Sequence, residues 1–241
     1  MDSQGTRPRV IDHVVTVAQI QDICTGYRRL TMDAGGLFEV FTPMPGGYLM
    51  LSLVDGDAKV QRAYSIHSVT QDSFLLDFVV HDPPGPGCLW ASTATVGTQV
   101  LVSEPPYHLE IPQTSQALLI ADTSALPAAA TIADTLTAKV TLIIVDGDPA
   151  HGPDFFSRFR DLSHSSKNHD GPIQNQLQVR QLPELSTDSL KNIVASMDPQ
   201  DCFLWAAGER SLAKQVREFT RQEFQVPRSA QHIQTYWISA W

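Results

Sequence analysis

Two short clusters carry the residue types that do chemistry. One is Arg62-Ala-Tyr-Ser65, which supplies a planar cation, an aromatic ring and a hydroxyl. The other is Gly85-Pro-Gly-Cys88, a turn that opens into Leu89, Trp90 and Ala91. A helix starting at such a turn presents unpaired N–H groups and the positive end of its dipole, which suits a pyrophosphate. Gly85 and Gly87 let the backbone come close to a ligand. Arg62 can grip phosphate oxygens through its planar fork. Tyr64, two residues further along a strand, faces the same way as Arg62. Ser65 faces the other way, with its hydroxyl or N–H in reach of a ring nitrogen at a strand end. These are the parts needed to hold a large planar cofactor that carries phosphates. A four-residue pattern arises easily by chance, and the loop alone is an ordinary turn. The two in this order carry the reading.

The elements that must position them read as a β-rich module. Val10 to Ile23 is rich in β-branched residues, Tyr27 to Met32 alternates, and Tyr48 to Val54 is a strand that Asp55-Gly-Asp57 ends. Asp33 to Gly36 and Pro43 to Gly47 are turns, because Pro and Gly fix or free φ where the chain reverses. Phe74 to His81 alternates most clearly. Phe74, Leu76, Phe78 and Val80 share one face; Leu75, Asp77, Val79 and His81 share the other. Pro83, Pro84 and Pro86 cannot donate to a ladder and stop it. Gly87 to Ala94 reads as a short helix and Val100 to Ser103 as a strand. Short strands with such turns predict an antiparallel barrel or sandwich.

From about Gln113 the pattern changes. Ala117 to Ala121, Val140 to Val145 and Cys202 to Ala206 are continuous apolar runs, as in buried parallel strands. Asp122-Thr-Ser124 offers N-cap residues before an Ala-rich helix, Ala125 to Leu136. Further helices are expected at Asp154 to Asp161, Thr187 to Ser196 and from Ser211 to Glu223. Strands are expected at Leu177 to Leu182 and His232 to Ile238. The polar stretch Ser163 to Asn175 reads as a loop that leaves His164 and His169 in solvent. Alternating strands and helices imply an open parallel sheet. Its ligands bind at the carboxyl ends of the strands, which singles out the turns Ala121 to Ser124 and Ala207 to Ser211. There is no GxGxxG fingerprint. The two domains expected are 1–113 and 114–241.

Composition narrows the function. The chain has 241 residues, 42% of them hydrophobic, enough for a proper core. Its formal net charge of −9 argues against nucleic acid and against an anionic membrane surface. The three cysteines, Cys24, Cys88 and Cys202, form no CxxC and no metal-binding run. No metal site is expected. The stretch MDSQGTRPRVIDHV lacks the apolar centre of a signal peptide. No apolar run approaches the roughly 20 residues of a membrane-spanning helix. A cytoplasmic protein with reduced thiols is expected, without membrane insertion, and monomeric.

Six motifs in order resemble the siderophore-interacting proteins, a flavin-dependent ferric-siderophore reductase family within the ferredoxin–NADP+ reductase superfamily. They are Arg62 to Ser65, Asp77 to His81, Gly85 to Ala91, Leu118 to Ala128, Trp205 to Glu209, and Tyr236-Trp237. The resemblance implies an N-terminal antiparallel Greek-key β-barrel that binds FAD, followed by an α/β open parallel-sheet domain. It implies that Arg62 binds pyrophosphate, Tyr64 stacks on the flavin and Ser65, the catalytic candidate, lies near its reactive nitrogen. Ala63, Phe78, Val79, His81, Gly85, Pro86, Gly87, Cys88 and Trp90 complete the cofactor cradle, and Asp122, Thr123 and Ser124 face the flavin. Gly208 and Glu209 lie where a nicotinamide nucleotide approaches. Lys59, Arg180 and Trp237 are candidate substrate contacts. The chain departs from the family at three places. Ala121-Asp-Thr-Ser124 replaces Gly-Asp-Glu-Thr, Gly87-Cys88 replaces Ala-Ser, and His67 stands where an Arg often follows.

The implied reaction reduces chelated Fe3+ to Fe2+, which hard oxygen ligands hold more weakly. The implied partners are a ferric siderophore and an electron donor: NADH, NADPH or ferredoxin. Two other readings are a general NAD(P)H-dependent flavin or ferredoxin reductase, and a non-catalytic ferric-chelate-binding protein on the same fold.

Overall fold

A computed structural model describes residues 12–105, 109–163 and 177–239. The loop expected at Ser163 to Asn175, with His164 and His169, lies almost wholly outside them. The chain forms two compact units, Met1–His108 and Leu109–Trp241.

The first unit is a closed antiparallel barrel. Its strands are β1 (Asp12–Cys24), β2 (Tyr27–Asp33), β3 (Tyr48–Asp55), β4 (Ala58–His67), β5 (Ser73–Val79) and β6 (Gln99–Ser103), in the spatial order β1-β2-β5-β4-β3-β6. Closure comes from β6, which pairs with both β1 and β3 and so leaves no free edge. A two-residue hairpin joins β3 to β4. Gly56 takes φ +58° there, a conformation glycine adopts without steric cost. Val15, Val17, Leu30, Met32, Leu49, Leu51, Phe74, Leu76 and Phe78 fill the interior. One helix, α1 (Pro86–Thr93), packs against β3 and β5. Its C-terminal end is held by Arg28, whose guanidinium donates to the Ala91 and Ser92 carbonyls, both at 3.2 Å, and to Asp22. A cation there satisfies carbonyls that have no helical partner.

The strand expected to run to His81 is shorter. β5 stops at Val79, and the chain has left the ladder by His81, which is exposed. Both faces of β5 are covered: Leu75 and Asp77, on the face away from Phe74 and Phe78, are also buried. The cause is electrostatic. Arg29 on β2 donates to Asp77 from Nε (2.8 Å) and Nη2 (3.0 Å), and His67 Nε2 on β4 lies 2.7 Å from the same carboxylate. Three neighbouring strands are thus tied by one buried charged cluster. Burial alone would push the Asp77 carboxyl up. The His67 imidazole and the Arg29 guanidinium outweigh burial and hold it below its ordinary value.

The second unit is an open, fully parallel sheet of order β11-β10-β7-β8-β9. The strands are β7 (Gln116–Ala121), β8 (Lys139–Val145), β9 (Leu177–Leu182), β10 (Cys202–Glu209) and β11 (Gln231–Trp237). The helices are α2 (Leu126–Thr135), α3 (Pro153–Ser163), α4 (Thr187–Val194) and α5 (Arg210–Gln222). β7 and β10 are buried on both faces, which is why they read as unbroken apolar runs. Leu118, Ile120, Leu204 and Ala206 pack against Leu190, Leu212, Val216 and Phe219 of α4 and α5. The turn expected at Ala207 to Ser211 is instead strand up to Glu209. Pairing with β11 carries on through Gly208↔Thr235 and Glu209↔Trp237, and α5 starts directly at Arg210.

Candidate functional site

In the barrel unit, β4 and the start of α1 are brought together. Tyr64 packs its ring on Phe78 at 4.3 Å between centroids, and Phe78 packs on Trp90 at 5.6 Å. Phe78 is buried and supports Tyr64 from below. Burial pushes the Tyr64 phenol up to about 12, with Cys88 adding to the shift and Arg62 opposing it. Arg62 is exposed, and its guanidinium donates to the Gln61 carbonyl at 2.9 Å. Ser65 is buried, with its backbone paired to Tyr48. Ala63 is exposed beside them, and Val79 is half-buried at the end of β5.

α1 opens at Gly85, where no side chain caps the helix. The first-turn N–H groups of Gly87 and Cys88 therefore have no helical acceptor, and Pro86 has no N–H to satisfy. The space where a side chain at Gly85 would stand is open. Cys88 turns its thiol the other way: it accepts from the His81 N–H and donates to the His81 carbonyl, both at 3.4 Å. The thiol thus pins the first turn of α1 to the chain leaving β5, and its N–H stays outward.

Gly87 is required for a different reason from Gly85. A Cβ there would lie 1.7 Å from Tyr64 Oη and 2.7 Å from its Cζ. Gly87→Ala is expected to cost about 1–3 kcal/mol of stability by overpacking. Tyr64→Phe, which removes the obstructing hydroxyl, should restore much of that in the double variant. Urea denaturation of the four proteins measures it. Equal losses with and without the Tyr64 hydroxyl would show that the clash is not the cause.

In the second unit, the connections from β7 and β10 leave in opposite directions, so the crevice at their carboxyl ends is the sheet's switch point. Asp122 sits there, buried at the end of β7. Its Oδ1 accepts from the Ser124 N–H (2.9 Å) and hydroxyl (2.5 Å). Its Oδ2 accepts from the Glu209 N–H and from Trp237 Nε1, both at 2.8 Å. Burial pushes the Asp122 carboxyl up, against the pull of these bonds. Gly208 adopts φ +148°, and a Cβ on it would lie 2.5 Å from Asp122 Oδ2. The carboxylate fits only because residue 208 is glycine. Thr123 follows Asp122 in the same turn. Glu209 caps α5 through the Ser211 N–H and also accepts from Ser239, which holds its carboxyl down at about 2. Trp237 is anchored through its ring nitrogen while 46% of the residue stays exposed.

The sequence-derived candidates therefore fall into two groups, one in each unit. Lys59 and Arg180 join neither. Lys59 lies at the hairpin end of β4, away from Ser65, and Arg180 lines a pocket at the amino end of the sheet. Sequence reading missed Arg29 and His67 as partners of Asp77. Its one usable signal was a basic residue two positions after Ser65. Among the described residues, no group of three or more His, Cys, Asp or Glu is placed to hold a metal ion, and no helix is long and apolar enough to cross a membrane.

A closed Greek-key barrel followed by an open parallel sheet is the ferredoxin-reductase-like fold. A ferredoxin-NADP+ reductase from Plasmodium falciparum superposes with TM-score 0.70 at 10% identity, covering 92% of this chain and 95% of that one. A siderophore utilization protein from T. fusca superposes with TM-score 0.71 at 22% identity, covering 95% and 93%. Within that fold the family is defined by sequence. Residues 114–240 match the siderophore-interacting protein family and residues 39–109 its siderophore-interacting FAD-binding domain; the chain belongs to this family. It is 27% identical over 237 residues to the mycobactin import ATP-binding/permease protein IrtA of Mycobacterium tuberculosis. That alignment covers 94% of this chain and 26% of the relative, so the chain spans about a quarter of the curated relatives it matches.

Proposed function

We propose that this protein is a cytoplasmic flavin-dependent ferric-siderophore reductase. The observation that carries the reading is the uncapped start of α1 beside Tyr64 and Arg62. Free N–H groups at Gly87 and Cys88, open space at Gly85 and an exposed guanidinium fit a flavin nucleotide. Bound there, FAD would supply two-electron acceptance and one-electron delivery. The chain's own residues do the rest. The α1 start and Arg62 hold the pyrophosphate. Tyr64, fixed by Phe78, offers its ring for stacking. Ser65 directs its polar atoms at the ring nitrogen.

The switch-point crevice of the second unit is the place for a nicotinamide donor, with Gly208 giving close backbone approach. Asp122 supports this edge without contacting the donor, since its carboxylate already accepts four hydrogen bonds. The substrate is a ferric chelate, whose iron keeps its own ligands until reduction weakens them. The family and the mycobactin-import relative favour a siderophore over a free flavin as acceptor.

The test is anaerobic. The purified protein should be yellow or take up FAD. It should bleach with NADH, NADPH or reduced ferredoxin, and recolour when a ferric siderophore is added, with Fe2+ captured by a ferrous-specific chelator. A colourless protein that binds no FAD defeats the proposal. Bleaching by ferredoxin alone assigns the donor. Flavin-bound protein that no ferric chelate reoxidises points to the general reductase instead.

A further inference from the structure

The amino end of the parallel sheet, opposite the switch-point crevice, holds a pocket of about 330 Å³. Along β7 the two edges are about 20 Å apart at roughly 3.3 Å per residue. Nothing bound here touches Asp122, Gly208 or Trp237. Lys139 on β8 and Arg180 on β9 both line the pocket, together with Thr141, Gln116 and Gln178, with Ile193 of the last turn of α4 and Met197 just after it. The register explains the convergence. Gln116 pairs with Lys139 and Thr141 with Gln178, so alternate residues of three strands present their side chains to one face.

Three features mark it as a binding site. Lys139 and Arg180 have no ion-pair partner among the described residues. Thr141 lines the pocket with a hydroxyl that has no hydrogen-bond partner among them and is open to the pocket, not sealed in the core, so it is available to a ligand. No acidic side chain lines the pocket. Two offsetting charges are nearby. The C-terminal end of α4 carries about half a negative charge. Asp201 binds Ser115 at the rim, accepting from its N–H at 2.9 Å and from its hydroxyl. Two full cations exceed these together, in a chain whose net charge is −9. A local positive pocket in an acidic protein concentrates anions.

We propose that this pocket is a second ligand site, which takes the phosphate or carboxylate group of a small polar molecule. Lys139 and Arg180 bind its oxygens and Thr141 donates its hydroxyl. The site lies at the sheet edge opposite the crevice proposed for the donor, which suits an effector and not the donor itself.

Isothermal titration of the full-length protein with inorganic phosphate, pyrophosphate and citrate tests this, at constant ionic strength and with chloride as control. One of the three should bind saturably at one site per chain. Lys139→Gln and Arg180→Gln should each weaken it by about tenfold or more, as expected for charge-assisted bonds. Thr141→Val, which keeps the shape and removes the hydroxyl, should weaken it about fivefold. The two charge variants alter exposed residues, and unchanged melting temperatures without ligand confirm that they fold. Binding that is equal in the wild type and the two charge variants overturns the proposal. So does a response matched by chloride, or no saturable heat with any of the three anions.

Discussion

Asp77→Ala lowers the unfolding free energy by about 3–5 kcal/mol, the cost of removing one partner from a buried ion pair. The side chains of Asp77, His67 and Arg29 are 0%, 2% and 3% exposed. Without the carboxylate, the Arg29 guanidinium stays charged in the protein interior. Because the cluster joins β2, β4 and β5, the loss also loosens the strand that carries Arg62 and Tyr64. Urea denaturation followed by circular dichroism measures the stability, and flavin content after purification measures the loosening. A loss under 1 kcal/mol would mean that water reaches the cluster. The linkage has a definite sign. The folded-state carboxyl lies below its ordinary value, so its contribution is present above about pH 3.9 and lost as pH falls through the folded value. Asp77→Asn should therefore flatten the acid limb of the stability curve.

Asp122→Ala is expected to cost about 2–4 kcal/mol. The Glu209 N–H and Trp237 Nε1, both part-buried, lose a carboxylate acceptor, at about 1–2 kcal/mol for each bond. Gly208→Ala should approach the same loss from the other side, since its Cβ would collide with the carboxylate at a φ that L-residues rarely adopt. Combining the two should cost less than their sum, because removing the carboxylate removes the collision. Denaturation of the single and double variants tests this; strict additivity would refute the geometry. Here the pH dependence is reversed. Asp122 has only neutral donors around it, and burial raises its carboxyl. Its contribution is greatest below about pH 3.9 and declines as pH rises through the folded value. One protein thus holds two buried aspartates of opposite linkage, set by whether their partners carry charge.

Local patterns revealed much of this fold. The apolar runs at β7 and β10 and the Gly-Pro spacing before α1 state their conformation within a few residues. Those cues place the barrel, the parallel sheet and the open helix start. The partnerships across long separations were not legible. Asp77 alternates with apolar neighbours and so reads as an outward residue; only the register of β2 against β5 sets Arg29 beside it. Asp122 reads as a helix cap, which it is for Ser124, but its bonds to Glu209 and Trp237 depend on which strands adjoin β7. Arg180 looks like any exposed arginine until the pairing of β8 and β9 puts it on the same sheet face as Lys139 and Thr141, lining one pocket. Spacing along the chain contains none of these neighbours.

The Asp122 bonds also tie together residues far apart along the chain. Its first two donors lie at Ser124, the third at Glu209 and the last at Trp237. Without β11 the Asp122 carboxylate lacks one of its four donors. Only with Trp237 in place does this carboxylate accept its fourth hydrogen bond, so the edge proposed to receive the electron donor depends on the last strand of the sheet.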